Sequence, residues 1–243
     1  MSEQLKHLID ELKINRDQAV KVDSGGDRLH HSFEVDPRDF LDQAERDFEA
    51  GGNSTLLNSI TNSKRAIHCQ VDQALRAIGI ESTNMNLPEK VRVMEETGFI
   101  FPRILKKVNQ ERNLLEHEYQ RPDEKIVEEA LDLAILFIET TNRRLDTFWH
   151  EFYVGNESRR IDTFTFFEYL SFKMIKPKIS NRDRPAFEVV GMQVSSDGRE
   201  IVDTVIVEPD EDIFRDIVNL ANTRDREAHV HKALERFFEE LGC

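Results

Sequence analysis

The spacing of apolar residues changes after Gly155-Asn156, and that change limits the folds open to this chain. Between 36 and 150, apolar residues recur every three or four positions, as they do on the buried face of a helix. In 163–174, phenylalanines and other apolar residues alternate with polar ones, which is the period of a strand. The sequence therefore predicts a mainly α fold, in which an antiparallel helical bundle is followed by a small α+β unit.

Turn and capping residues set the expected limits of the bundle helices. Asp36-Pro37 is typical of a helix start, and Gly51-Gly52 is typical of a helix end. Pro88 opens a further helix, and Asp123 caps a long one that we expect to continue to about residue 150. We expect three segments, which are an N-terminal helix and flexible linker at 1–34, a helical bundle at 35–150 and an α+β unit at 151–243.

Both ends of the chain carry simpler patterns. Residues 3–20 predict an amphipathic helix, and Asp23-Ser24-Gly25-Gly26-Asp27 predicts a flexible break. Near the other end, we expect strands at 163–174, 187–194 and 201–207, with a helix as the alternative for the first of them. Helix follows at 210–241, with a break near Asn222-Thr223 as an alternative. Asp197-Gly198 predicts a hairpin turn between the last two strands. The strand phenylalanines are typical of core, although an aromatic strand can also stack nucleic-acid bases.

The composition indicates an intracellular protein with an acidic surface. The formal net charge is −14, which disfavours broad nucleic-acid binding because that requires a basic surface. No signal peptide and no apolar run of about 20 residues is found, so we expect a cytoplasmic protein without a membrane partner. Cys69 and Cys243 form no disulfide or metal pattern, and His229 and His231 diverge on their predicted helix.

The segment 112–119 carries the residues best suited to chemistry. Arg112 has a permanent charge and a planar fork that fits a phosphate, and His117 is the side chain that most readily moves protons near neutral pH. The two differ by about 140° around a helix, so a cleft with a second helix would be needed to join them. The alternative is an ordinary surface, where Arg112 pairs with Glu116 and His117 favours the end of the helix dipole.

Basic residues surround this segment and predict a local RNA-binding surface on an otherwise acidic chain. They are Arg103, Lys106, Lys107 and Arg121. Such a patch would favour a discrete RNA element or a nucleotide over long, indiscriminate binding. A solvated helix face is the alternative interpretation, since glutamates are interspersed among these cations.

Residues 39–144 resemble the HEPN family, whose name refers to nucleotide-binding domains of higher eukaryotes and prokaryotes. Phe40 to Phe48 is similar to the first helix of that family, and Lys64 to Ile80 is similar to the second. Leu87-Pro88-Glu89-Lys90 resembles the entry to the third helix, which carries the Arg-Asn-(three residues)-His signature, here Arg112-Asn113 and His117. The resemblance covers a little under half of the chain.

The resemblance implies a metal-independent endoribonuclease that needs no cofactor. His117 would take or return a proton, Arg112 would stabilise charge on the phosphate oxygens, and Asn113 would hold the phosphate or orient His117. The family's arginine and histidine usually converge from two protomers, so a homodimer is expected. Some members bind nucleotides or RNA, or act as assembly modules, without cleavage, and that binding function is the competing prediction.

Tyr119 extends the match to Arg-(four residues)-His-x-Tyr. This pattern resembles HEPN toxins that a minimal nucleotidyltransferase antitoxin neutralises by adenylylating the tyrosine. It implies a toxin or defence effector with such a partner, and Tyr119 as the modified residue. Those toxins are generally compact single domains, whereas this chain has an added C-terminal unit. The alternative is that Tyr119 closes the helix end against Pro122.

Overall fold

A five-stranded antiparallel sheet packs against helices in this fold. The computed structural model describes residues 2–99, 123–176, 184–223 and 227–243. Within these residues the fold is α+β, so the predicted mainly α class is wrong. The correction arises from two strands that lie where the sequence predicts a linker and the end of a helix.

The elements follow one another in an order that brings both ends of the chain to the sheet. The helices of the described residues are α1 (Ser2–Glu11), α2 (Pro37–Ala50), α3 (Asn53–Ala77), α4 (Leu87–Glu96), α5 (Glu124–Asp146), α6 (Asp212–Asn222) and α7 (Glu227–Leu241). The strands are β1 (Ala19–Asp27), β2 (Phe148–Asn156), β3 (Glu168–Ile175), β4 (Ala186–Ser195) and β5 (Gly198–Val207). They lie in the sheet in the order β1-β2-β3-β4-β5.

Strand β1 covers the whole of the predicted flexible break. It pairs antiparallel with β2 from Ala19 opposite Asn156 to Asp27 opposite Phe148, with irregular register around Gly25. The predicted helix at 3–20 ends instead at Glu11. The backbone groups of β1 that face β2 find their partners there, and β1 forms one edge of the sheet.

Strand β2 replaces the predicted last turn of the long bundle helix. Helix α5 ends at Asp146, and β2 begins two residues later at Phe148. Phe148 and Phe152 have no exposed surface, and the ring of Phe152 stacks on that of Phe172 in β3 with centroids 4.7 Å apart. Burial of these aromatic side chains favours the strand over one more turn of helix.

The inner face of the sheet packs on α1, α6 and α7. Phe172 contacts Phe237 of α7 with ring centroids 5.8 Å apart, and Phe187 contacts Phe214 of α6 at 5.7 Å. On the same face, Gly191 leaves room for α1, because a Cβ there would lie 2.4 Å from Leu8 Cδ1. These strand phenylalanines are core residues, as predicted.

One contiguous core joins the sheet to the bundle formed by α2, α3 and α5. It runs from Leu41 and Val71 in the bundle to Phe152 in the sheet. The predicted boundaries at 34 and 150 therefore fall within a continuously packed region, and the division into three segments stays a prediction. No helix in the described ranges is both long and apolar enough to cross a membrane.

Candidate functional site

The segment with the predicted chemistry falls outside the described residues. This holds for Arg103, Lys106, Lys107, Arg112, Asn113, His117, Tyr119 and Arg121. Their roles, and the composite site between two protomers, stay predictions. The described chain reaches this segment at Phe99, directly after Gly98, and Gly98 forms part of the wall of a polar cavity.

This cavity, which we call the basic cleft, has a volume of about 320 Å³ and lies where α4, α5, α6 and α7 meet. Its lining is mostly polar, and three of its side chains are permanent cations. The lining residues are Glu95, Gly98, Arg144, Asn219, Asn222, Thr223, His229, Lys232, Ala233 and Arg236.

Helix α7 supplies one wall of the basic cleft. His229, Lys232 and Arg236 are spaced by three and four positions, so they share one face of that helix. His229 and Lys232 are exposed. The opposite face of α7 carries Phe237 and Phe238, which have no exposed surface. The burial of those two rings fixes which face of the helix meets the cleft.

Groups of α4 and α6 hold the Arg236 guanidinium in place. Its Nε lies 2.6 Å from Asp216 Oδ1 on α6, and its Nη1 donates to the backbone carbonyl of Glu96 at 3.3 Å. The Glu96 side chain pairs in turn with Arg215, Nη1 to Oε2, at 2.8 Å. This network connects α4, α6 and α7, so it fixes Arg236 as well as stabilising the junction.

Asp216 is the titratable group most perturbed by this arrangement. Its side chain is 4% exposed, and its burial raises the pKa from 3.8 to about 6. The nearby positive charge of Arg236 opposes that rise but does not cancel it. Asp216 positions Arg236 and remains mostly ionised at pH 7.

Hydrogen bonds from side chains to backbone carbonyls stabilise the opposite wall. Arg144, in the last turn of α5, donates from Nη1 to the carbonyl of Asn222 at 2.6 Å. Asn222 Nδ2 donates to the carbonyl of Thr97 at 2.8 Å, which connects α6 to the end of α4. Gly98 is required here, because its φ is +77° and a Cβ would lie 2.8 Å from Asn219 Oδ1. Both guanidiniums of the cleft are thus anchored before any ligand arrives.

The basic cleft is suited to binding an anion. Arg144, Lys232 and Arg236 line it together with His229, and Glu95 is the single carboxylate among the lining residues named above. Arginine donors fit phosphate oxygens, and lysine adds a mobile positive charge. Because the whole chain carries a formal charge of −14, a cleft of this kind provides a local site for a phosphate group rather than a broadly basic surface.

The sequence predicts none of these site residues. His229 is only half of a poor metal pair in that prediction, although the spacing of His229, Lys232 and Arg236 places three basic groups on one helix face. Arg144 and Gly98 carry no local signal, since only the fold brings α4 and α5 beside α7. Across the described ranges, no group of three histidine, cysteine, aspartate or glutamate side chains is arranged to hold a metal ion.

Comparisons of the chain with protein-family models, with curated protein sequences and with solved structures find no match. Membership of the HEPN family therefore stays a prediction that depends on the motif at 112–117 and on the segments around it.

Proposed function

We propose that this chain binds RNA and cleaves it as a metal-independent endoribonuclease. In this proposal His117 carries the proton, Arg112 stabilises charge on the phosphate, and Asn113 holds the phosphate or orients His117. The observation that supports it is the basic cleft, which offers anchored cations at the point where the described chain leads into the motif segment. An anion site is the first requirement of an enzyme that acts on a phosphodiester.

The reaction needs a base, an acid and positive charge. The base removes the proton of the ribose 2′-OH, and the 2′-oxygen forms a bond to phosphorus. The bond from phosphorus to the 5′-oxygen breaks, and that oxygen leaves with a proton from the acid. The products are a 2′,3′-cyclic phosphate and a free 5′-OH. Acid–base groups typically contribute about 10²–10⁴ in rate, and one well-placed donor to the charged oxygens contributes about 10²–10³.

We further propose that the active form is a homodimer. Arg112 and His117 differ by about 140° on a single helix, and two motif helices facing each other would place one of each on the same phosphate. Light scattering on the purified chain tests this proposal directly. A monomer at micromolar concentration that still cleaves RNA would exclude the composite site.

A single-turnover cleavage assay with purified chain and a defined RNA tests the function. We expect wild-type chain to release fragments that end in a 2′,3′-cyclic phosphate, and His117→Ala to lose this activity without a change in circular dichroism. His7→Ala is the matched control, because His7 is an exposed histidine on α1. Equal cleavage by wild type and His117→Ala, in preparations free of contaminating nuclease, would remove His117 from the mechanism.

The role of Arg112 is tested by comparing its lysine and alanine variants. Lysine keeps the charge but loses the planar fork that meets two phosphate oxygens at once. If Arg112 clamps the phosphate in the transition state, Arg112→Lys lowers the single-turnover rate more than it weakens RNA binding. Wild-type turnover in the lysine variant would refute the two-point contact, and equal turnover in all three proteins would remove Arg112 from the site.

The same assay separates cleavage from the competing function of a nucleotide- or RNA-binding module. The basic cleft favours that alternative as well, since anchored cations are sufficient for binding. Saturable RNA binding without cleavage products would support the module and refute the enzyme. The nucleotidyltransferase partner is tested separately with Tyr119→Phe, which we expect to retain cleavage and to resist inactivation by adenylylation.

A further inference from the structure

A second cavity lies on the face of α5 away from the basic cleft. Asn142 lines this cavity, whereas Arg144 lines the cleft. Side chains two residues apart on a helix point in nearly opposite directions. The cavity has a volume of about 290 Å³ and lies between α3 and α5, under the segment 28–38. We call it the amide pocket, after Gln70, Gln73 and Asn142 in its walls.

Two amides in the amide pocket form an incomplete hydrogen-bonded pair. Gln70 Nε2 donates to Asn142 Oδ1 at 3.0 Å. Gln70 has no exposed surface, and its Oε1 accepts no hydrogen bond from the described part of the chain. A buried carbonyl oxygen without a donor is unfavourable and uncommon in folded proteins. The unpaired Oε1 therefore marks a position where a ligand N–H group would be stabilised.

The charged side chains around the amide pocket are already satisfied by one another. Arg28 Nε lies 2.8 Å from Asp146 Oδ1, and Arg38 pairs with Glu139. Asp36 accepts hydrogen bonds from the first backbone N–H groups of α2. The lining thus contains two arginines and three carboxylates, so it offers no excess positive charge to a phosphate. Because these charges are already paired, an uncharged ligand suits the pocket better than a charged one.

The remaining walls are apolar or neutral. Leu29, Ile138 and Leu145 line the amide pocket and can contact the flat face of a ring. Burial lowers the pKa of His31, which favours its neutral imidazole. Two hydrogen bonds hold the segment 28–38 over the pocket. Leu29 N donates to the Leu145 carbonyl at 2.9 Å, and Gln73 Nε2 donates to the His31 carbonyl at 2.7 Å.

We propose that the amide pocket binds an uncharged nucleobase of the adenine type. Its amino N–H would donate to Gln70 Oε1, and its ring nitrogen would accept from Asn142 Nδ2. Glutamine and asparagine amides recognise adenine through this pairing of donor and acceptor in nucleic-acid complexes. Gln70 and Asn142 both line the cavity, so one planar ring there can contact both amides. This inference does not depend on RNA cleavage, and it concerns a different face of the molecule.

Ligand titration of the full chain by calorimetry tests the proposal. We expect adenosine to bind saturably with a Kd on the order of 10⁻⁴ M, as suits a ligand of its size. N6,N6-dimethyladenosine, which lacks the amino N–H, should bind at least about tenfold more weakly, the effect of losing one buried hydrogen bond. Adenosine monophosphate should bind no more tightly than adenosine, because the pocket has no unpaired cation for its phosphate.

Gln70→Leu tests the same contact from the protein side. Leucine fills a similar volume without the amide, so the folded variant should lose about tenfold or more in adenosine affinity. Gln43→Leu is the matched control, since Gln43 is an exposed amide on α2 that does not line the pocket. Its affinity should equal that of wild type.

The assignment would be overturned by the absence of saturable binding at millimolar adenosine, by equal affinity for adenosine and its dimethyl analogue, or by unchanged affinity in folded Gln70→Leu. If Gln70→Leu does not fold, the comparison of the two nucleosides on wild-type chain decides the question. Tight binding of adenosine monophosphate without binding of adenosine would place the ligand at a phosphate site and would also refute the amide pocket.

Discussion

Asp216 allows a direct test of how the basic cleft is assembled, because burial and Arg236 act on its pKa in opposite directions. The Asp216 side chain is 4% exposed, and its Oδ1 lies 2.6 Å from Arg236 Nε. Burial dominates and raises the pKa from 3.8 to about 6. The perturbation we choose is Asp216→Asn, which keeps the shape of the side chain and removes its titration.

The sign and size of the effect follow from proton binding. Below pH 3.8 the carboxyl is protonated in both the folded and the unfolded chain. Between 3.8 and about 6 the folded chain binds more protons, so the contribution of Asp216 to the free energy of unfolding falls as the pH rises. Above that range both states are ionised, and the full destabilisation, about 3 kcal/mol for this pKa difference, is present.

The assay is urea unfolding of wild type and Asp216→Asn, followed by circular dichroism, at several pH values from 4 to 8. The difference in free energy of unfolding between the two proteins isolates the titration of Asp216 from that of the other carboxylates. We expect the variant to gain stability relative to wild type as the pH rises, by up to about 3 kcal/mol over the whole range. Asp10→Asn, which changes an exposed carboxylate on α1, should show a flat difference.

Two outcomes would refute the reasoning. A difference between wild type and Asp216→Asn that stays constant from pH 4 to 8 would mean that the folded pKa is not raised. A variant that loses stability relative to wild type as the pH rises would mean that attraction to Arg236 exceeds the effect of burial. In that second case Asp216 and Arg236 form a stabilising ion pair, and Asp216→Asn should also loosen the cleft at neutral pH.

Three further predictions concern packing, charge and capping. Gly191→Ala should lower the free energy of unfolding by about 1–3 kcal/mol, because the new Cβ would lie 2.4 Å from a buried Leu8 methyl. Gly25→Ala should lower it less in the same denaturation assay, because the atom nearest to its new Cβ is 3.4 Å away. Lys232→Gln should weaken RNA binding and reduce the slope of log affinity against log salt by about one. Arg65→Gln, at an exposed position on α3, should leave that slope unchanged. Asn86→Ala removes the capping box of α4 and should lower the free energy of unfolding by about 1 kcal/mol. A decrease too small to measure would show that the cap is dispensable.

The parts of the fold that depend on local chemistry were predictable from the sequence. Asp36 and Asp123 cap α2 and α5 as expected, because a side-chain oxygen beside free backbone N–H groups acts within one turn of the chain. The turn at 196–197 joins β4 to β5 as expected, with Gly198 at a φ of +134°. These features need no information from distant residues.

The two missed strands depend on partners far away in the sequence. The segment Asp23–Asp27 is polar and rich in glycine, so its local signal is that of a loop. It forms a strand because β2 lies beside it, and the Ser24 hydroxyl donates to the Tyr153 hydroxyl, 129 residues later, at 2.9 Å. Once α5 ends at Asp146, Phe148 and Phe152 can enter the core of the sheet. Nothing within a local window reveals that pairing.

The same long-range packing determines the basic cleft, since each anchored side chain in it is next to a core residue. Arg144 precedes the buried Leu145 in the last turn before β2. Arg236 precedes Phe237, whose ring packs on Phe172 of the sheet. Burial of the apolar neighbour fixes the rotation of the helix about its axis, and that rotation directs the polar side chain toward the cleft. The sheet that the sequence only partly predicted is therefore what brings α5 and α7 together, so that cations of both helices line one cleft.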